Sequence, residues 1–276
     1  MKKREIKKIV FGNKTVDGAG VHLTRVISRD DVQDFDPFLM LDSFDSTNPD
    51  DYIKGFPWHP HRGIETVTYL ISGEMEHSDS LGNKGLIKSG ESQWMVAGSG
   101  VLHQEMPHAS EEMLGFQLWV NLPKENKMTN PEYHDLQFKR DIKQVVTPRA
   151  YINVISGDYQ GFKGFTPNYV PATILDVSLD AGKTFEYEVN NEENVFVFLI
   201  KNNAEINGDV ILEKSAVLFT KGDYLEIKAL DTTARFIVFH AKPLREPVAW
   251  GGPIVMNTQE ELDETFAELK NNTFLK

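Results

Sequence analysis

Residues 65–71 read ETVTYLI, one residue after Trp58-His59-Pro60-His61-Arg62-Gly63, and this run rich in β-branched and aromatic residues reads as a strand. Runs of the same kind recur at Gln93–Ala97 (QWMVA), Phe116–Leu122 (FQLWVNL), Thr173–Leu179 (TILDVSL), Val195–Ile200 (VFVFLI), Ala216–Thr220 (AVLFT) and Phe236–His240 (FIVFH). Gly, Asn, Asp and Pro break them apart, which is the punctuation of hairpins. The reading is an all-β protein of sandwich or barrel architecture. A helix is expected only near the end, where Asn257 or Thr258 can cap QEELDETFAELK, with Leu262, Phe266 and Leu269 at helical spacing.

At 276 residues the chain exceeds the usual single domain of roughly 100 to 200 residues, so two domains are expected. The stretch from Leu122 to Ala150 is polar, carries Pro123, Pro131 and Pro148, and reads as the connection between them. The boundary is placed at residue 140, giving domains 1–140 and 141–276. GLIKSGESQWMVAGSG (85–100) has a loose counterpart in DVILEKSAVLFTKGD (209–223), each reading strand, turn, strand, glycine turn, as a diverged duplication would.

Composition excludes several classes of function. Cysteine is absent, which removes disulfides, thiolate zinc sites, iron–sulfur clusters and cysteine nucleophiles. A formal charge of −12 disfavours direct nucleic-acid binding. The basic start, MKKREIKKIVF, has too short an apolar run for a signal peptide, and Lys2, Lys3, Arg4, Lys7 and Lys8 read as a solvated strand edge. No apolar stretch is long enough for a membrane span, so the expectation is a cytoplasmic chain with no membrane partner, nuclear residence remaining open in a eukaryote.

The chemistry is concentrated in two pairs. His59 and His61 stand two apart, and in an extended segment both imidazoles leave the same face. Pro60 between them favours extended backbone at His59 and brings no amide hydrogen. After the glycine turn Gly98-Ser99-Gly100, His103 and Glu105 repeat the spacing, so four side chains can converge. Three imidazoles and one carboxylate suit a divalent Fe, Ni, Cu, Mn or Zn ion and not the oxygen-seeking Ca²⁺ or Mg²⁺. An octahedral ion so held keeps two open positions.

HPHRGIETVTYLISGEMEHSDSLGNKG (59–85), GESQWMVAGSGVLHQEMPH (90–108) and LGFQLWVNLP (114–123) closely resemble the pirin signature within the cupin superfamily. DPFLMLDSFD (36–45) and PIVMNTQEELDETF (253–266) extend the resemblance over nearly the whole chain. It implies two tandem cupin (jelly-roll) β-barrels with a short C-terminal helix. The metal, Fe²⁺ in this family, would lie only in the first barrel, on His59, His61, His103 and Glu105. It further implies dioxygenase action on a flavonol such as quercetin, with Glu105 as the catalytic base. The alternative is a non-enzymatic, iron-dependent regulator with a protein partner, either a transcriptional co-regulator or a modulator of metabolic enzymes. Two barrels in one chain also suggest a monomer.

Glu65 falls where cupins often carry a ligand, but the resemblance places the carboxylate ligand in the second pair, and Glu65 is left as a strand residue. In the second half, Phe185 and Tyr187 of KTFEYEV stand where the first histidine pair would be, so that barrel is expected to be metal-free. His240 reads as a core histidine and His108 as a loop histidine, while His22, His77 and His134 have no partner at ligand spacing. Arg62 can pin its turn, and Phe56, Trp58, Trp94 and Met95 can line an apolar pocket or simply pack.

Overall fold

In the computed structural model, which describes all 276 residues, the chain forms two tandem β-barrels and a C-terminal helix, Gln259–Lys270. Each barrel is a four-stranded sheet faced by a seven-stranded one. In the first barrel the small sheet runs Phe56–His61, Val101–Pro107, Met75–Asp79, Lys84–Ile87. The second barrel repeats that order with Thr184–Glu188, Tyr224–Ala229, Ala204–Ile206, Asp209–Ile211. The centres of the large sheets correspond as well: Ser92–Val96, Ile64–Ser72, Met113–Asn121, Phe38–Ser46 against Ser215–Phe219, Asn194–Lys201, Ala234–Ala241, Thr173–Leu179. The two segments whose sequences resemble one another therefore occupy the same places in two copies of one topology.

The sequence pattern explains which strands go where. Strands central to a large sheet are covered on both faces and read as nearly unbroken apolar runs, as Val195–Ile200 does, every residue of it buried. Val101–Pro107 belongs to a small sheet and alternates, with Val101, His103, Glu105 and Pro107 buried and the three residues between them only partly so. That alternation makes Val101–Pro107 a strand with one inward face.

The compact units interleave along the chain, where the sequence reading draws a single boundary. Met1–Asn13, Val26–Asp36 and Leu136–Pro243 form one, and Lys14–Arg25, Pro37–Asp135 and Leu244–Lys276 form the other. Ile6–Phe11 is an edge strand hydrogen-bonded to Ser215–Phe219. The expected connection carries strands of its own, Glu132–Leu136 and Lys143–Val146, which lie at the edges of the two large sheets. Edge strands with exposed hydrogen-bonding groups need covering, and both segments supply that cover.

One expectation about the N-terminus is corrected. Arg4 is fully buried, and its guanidinium donates to the carbonyls of Asn190, Glu193 and Thr220 at 2.8, 3.2 and 3.2 Å. Reading the basic cluster as wholly solvated overlooks that a guanidinium has five donors with which to satisfy loop carbonyls. The C-terminal helix begins as expected at Thr258, whose hydroxyl accepts from the Glu261 amide while the Glu261 carboxylate accepts from the Thr258 amide. Leu262 is buried, whereas Phe266 stays exposed. No helix is long and apolar enough to cross a membrane.

Candidate metal centre

His59 and His61 lie on the strand Phe56–His61, which pairs antiparallel with Val101–Pro107 so that His59 stands opposite His103. The register slips between His103 and Glu105, where Glu105 faces Phe56. A bulge of this kind beside a site re-aims side chains, and here it lies among the candidate ligands. Gly63 closes the motif at φ 77°, and a Cβ there would meet the carbonyl oxygen of Val255 at 1.9 Å. Only glycine allows the C-terminal segment to lie this close behind the histidine strand.

The three imidazoles gather. One ligand nitrogen from each of His59, His61 and His103 lies within 4.8 Å of the others, and their ring centroids are 4.3 to 5.0 Å apart. His59 donates through Nδ1 to the Pro57 carbonyl at 2.8 Å, and His61 through Nδ1 to the Pro253 carbonyl at 3.0 Å. These bonds turn both Nε2 atoms inward, 3.1 Å apart, with lone pairs facing one another. His103 is fully buried and neither of its ring nitrogens has a hydrogen-bond partner.

Such an arrangement is costly without a cation, because burying an unpaired polar atom costs about 1–3 kcal/mol. Burial also keeps His61 and His103 uncharged: it pulls His61 down to about 3 and His103 well below the usual histidine range, with the neighbouring histidines adding to both shifts. Neutral imidazole is the ligand form. An Nε2–Nε2 separation of 3.1 Å is short enough for both nitrogens to bind one ion.

Glu105 is buried on the same strand face as His103, but the carboxylate is engaged elsewhere. Thr68 Oγ1 donates to its Oε1 at 2.8 Å and Gln117 Nε2 to its Oε2 at 2.6 Å. Gln117 in turn accepts from Trp119 Nε1 at 3.3 Å, and the Trp119 ring stands edge-on to His61 at 4.9 Å. The structure thus assembles the histidines directly and holds Glu105 in the adjoining hydrogen-bond network.

His77, given no role by spacing, is part of this interior. It stands opposite Glu105 in the neighbouring strand, its ring 5.3 Å from His103 and stacked on Tyr133 at 4.8 Å. Gln93 Nε2 lies 3.0 Å from its Nδ1 and Asp79 Oδ2 3.5 Å from its Nε2. The one available signal was alternation in MEHSD, where Met75, His77 and Asp79 share a buried face. The other histidines lie apart: His22 beside Asp51, His134 beside Glu132, and the part-exposed His108 within 3.5 Å of both Glu74 and Glu76.

Arg62 and Lys127 bind the motif to the C-terminal segment. Buried Arg62 donates to the Ser99 carbonyl, Thr265 Oγ1 and the Phe274 carbonyl at 2.7, 3.0 and 2.9 Å, pairs with Glu268 at 2.7 Å, and lies 4.4 Å over the Phe274 ring. Lys127 Nζ donates to the carbonyls of Gly63 and Val255 at 2.7 and 3.0 Å, and burial pushes its pKa down to about 7.

Glu65 lies three residues from Thr68 in one strand and so points to the opposite sheet face. It is fully buried and accepts from Trp94 Nε1 at 3.1 Å. Burial, with a smaller contribution from Glu132, raises it from 4.5 to about 8. The folded state therefore holds a proton that the unfolded state releases between pH 4.5 and 8, and stability falls as pH rises through that window. Glu65→Gln is expected to raise the melting temperature at pH 7.5, by the equivalent of about 2 kcal/mol or more, and to leave it nearly unchanged at pH 4.5. Scanning calorimetry at the two pH values checks this, and equal shifts at both would count against a buried proton.

Comparison with known proteins agrees with this architecture. The pirin family model matches residues 20–120, and the model of the pirin C-terminal cupin domain matches residues 174–275. A pirin-like protein of Caulobacter vibrioides is 41% identical over 98% of this chain and 99% of its own. Among solved structures, one described as quercetin 2,3-dioxygenase from Acinetobacter baumannii superposes with a TM-score of 0.90 at 30% identity, covering 99% of each chain. The Escherichia coli pirin YhhW, solved in complex with nickel(II), shares the fold with a TM-score of 0.65 at 22% identity, over 86% of this chain and 98% of that one.

Proposed function

The chain belongs to the pirin family, and on that footing we propose that it is a metal-dependent dioxygenase that cleaves the heterocycle of a flavonol such as quercetin. One observation carries the reading: His103 is fully buried with both ring nitrogens unpartnered, beside two histidines whose outer nitrogens are already fixed. The kinship to a structure described as quercetin 2,3-dioxygenase supplies the reaction class.

In this reading His59, His61 and His103 hold a divalent ion, Fe²⁺ by family and Ni²⁺ by the example of YhhW, with Glu105 as the fourth ligand. When bound, the ion would act as a Lewis acid toward the substrate's 3-hydroxyl and offer a place for dioxygen. Glu105 takes the hydroxyl proton on one oxygen. Thr68 and Gln117 hold the carboxylate in place from the barrel interior. The Pro57 and Pro253 carbonyls fix the ring orientation of His59 and His61. Trp250, 5.7 Å from the ring of Trp119, which itself stands edge-on to His61, offers a flat surface to an aromatic substrate.

The test is anaerobic loading with Fe²⁺ followed by oxygen uptake with quercetin. Metal-dependent uptake is expected, absent in His59→Ala. Glu105→Gln is expected to keep the metal while losing about 100-fold or more in kcat, within the range of a general base. Stoichiometric iron with no oxygen uptake would overturn the dioxygenase reading in favour of a metal-dependent regulatory protein. Full turnover in Glu105→Gln would remove the base assignment alone.

A further inference from the structure

Met113–Asn121 is the middle strand of the seven-stranded sheet in the first barrel and is buried along its whole length, yet it carries a glutamine at its centre. A strand so covered gains most from apolar side chains, and a buried carboxamide is kept only where its donors and its acceptor are all met. For Gln117 they are. Trp119, two residues on and so on the same face, donates through Nε1 to Gln117 Oε1 at 3.3 Å. Gln117 Nε2 donates to Glu105 Oε2 at 2.6 Å and to Oγ1 of its cross-strand neighbour Thr68 at 3.2 Å. Thr68 Oγ1 sends its own hydrogen to Glu105 Oε1 at 2.8 Å.

These bonds all run one way, from Trp119 to Glu105. An indole nitrogen can only donate and a carboxylate can only accept. A glutamine between them has one orientation that serves both, with its oxygen toward the indole and its nitrogen toward the carboxylate. Turned over, the amide would set donor against donor at Trp119 and acceptor against acceptor at Glu105. Trp119 thus sets the direction of the whole circuit, although its one N–H goes to Gln117 and not to Glu105. The same indole stands edge-on to His61, with ring centroids 4.9 Å apart and planes inclined by 82°. One side chain therefore flanks a histidine of the triad and orients the amide that holds the carboxylate.

We propose that Trp119 is a positioning residue of the metal centre: its indole N–H orients the Gln117 amide so that Gln117 and Thr68 both donate to Glu105 and hold its carboxylate in one setting for the ion. The proposal rests on the reading of Glu105 as the fourth ligand. Without the indole hydrogen, Gln117 Oε1 is left buried and unpaired, a state that drives the amide to shift or turn. Glu105 then loses its fixed direction, and the ion loses a ligand set in place before it arrives.

The test replaces Trp119 by benzothienylalanine, in which sulfur takes the place of the N–H in a ring of nearly the same shape, in the full chain with and without Gln117→Leu. Trp119→Phe serves as a second variant that also lacks the N–H. Co²⁺ affinity is read by chelator competition together with the d–d absorption of the bound ion. In the metal-free chain, solvent exchange of the Gln117 carboxamide hydrogens is read by NMR. With Gln117 present, the replacement is expected to weaken Co²⁺ by about 10-fold, to alter the d–d bands and to speed carboxamide exchange by a similar factor. In the Gln117→Leu chain it is expected to change the affinity by less than about 2-fold, because the indole then has no amide to orient. Unchanged affinity and exchange with Gln117 present would overturn the proposal. An equal loss in both chains would overturn it too, assigning Trp119 to packing against His61. Full Co²⁺ affinity in Glu105→Ala would remove the fourth ligand and the proposal with it. Neither measurement uses substrate or oxygen, so coupling between Trp119 and Gln117 in a chain that takes up no oxygen upholds the proposal and overturns the dioxygenase reading alone.

Discussion

Replacing His103 by leucine is expected to reduce bound metal from one ion per chain to less than about a tenth, because it removes one of the three converging imidazoles. The same substitution is expected to leave the metal-free chain as stable as before or more so, by about 1–3 kcal/mol, since it removes a buried imidazole with two unsatisfied nitrogens. Elemental analysis after reconstitution gives the first quantity, and urea unfolding of the metal-stripped protein gives the second. Function and stability are expected to separate at this position, as they do at sites whose groups serve a ligand and not the fold. Retention of a full equivalent of metal would exclude His103 from the centre. A large loss of stability in the metal-free form would mean that the imidazole has a structural role.

Arg62→Met is expected to cost about 3 kcal/mol, the scale for breaking a buried, hydrogen-bonded charge pair. Methionine can fill much of the space of the arginine stem, so the loss is assigned to the guanidinium. That group joins the Ser99 carbonyl in the turn before His103 to Thr265, Glu268 and Phe274 near the C-terminus. Metal affinity is therefore expected to fall about 10-fold, in line with other losses of support around a ligand set. Hydrogen exchange should speed up most across Gln259–Phe274, and denaturant unfolding gives the stability term. A change in stability with unaltered metal affinity would confine Arg62 to anchoring the tail.

What the sequence made legible follows from the range of the interactions involved. ETVTYLI, TILDVSL and VFVFLI declare themselves as strands because their patterning is local. His59 with His61, and His103 with Glu105, can be paired by the two-residue period. Gly63 and Gly98 are visible as turns, though not the backbone each admits: Val255 O behind the first and Thr129 O, 2.2 Å from a Cβ at the second. Everything that depends on register across strands is hidden. His77 faces Glu105 only because two strands align Met75 with Pro107, which no count along the chain reveals. The Glu105 carboxylate turns to Thr68 and Gln117 for the same kind of reason. Arg4 and Arg62 both look like surface charge in a sequence, and each is buried by carbonyls contributed from distant loops. Interleaving of the compact units is likewise invisible, because pairing of Ile6–Phe11 with Ser215–Phe219 leaves no mark in either segment alone.

The bond from His61 to the Pro253 carbonyl spans 192 residues, and it sets an order of events during synthesis. At about 5–20 residues per second, Pro253 follows His61 off the ribosome by roughly ten to forty seconds. During that interval the histidine pair and His103 have already emerged, yet His61 can present either nitrogen and Arg62 has no tail to hold. Only when the C-terminal segment docks behind Gly63 does the Pro253 carbonyl reach His61 Nδ1, so the ordered histidine pair comes after that docking.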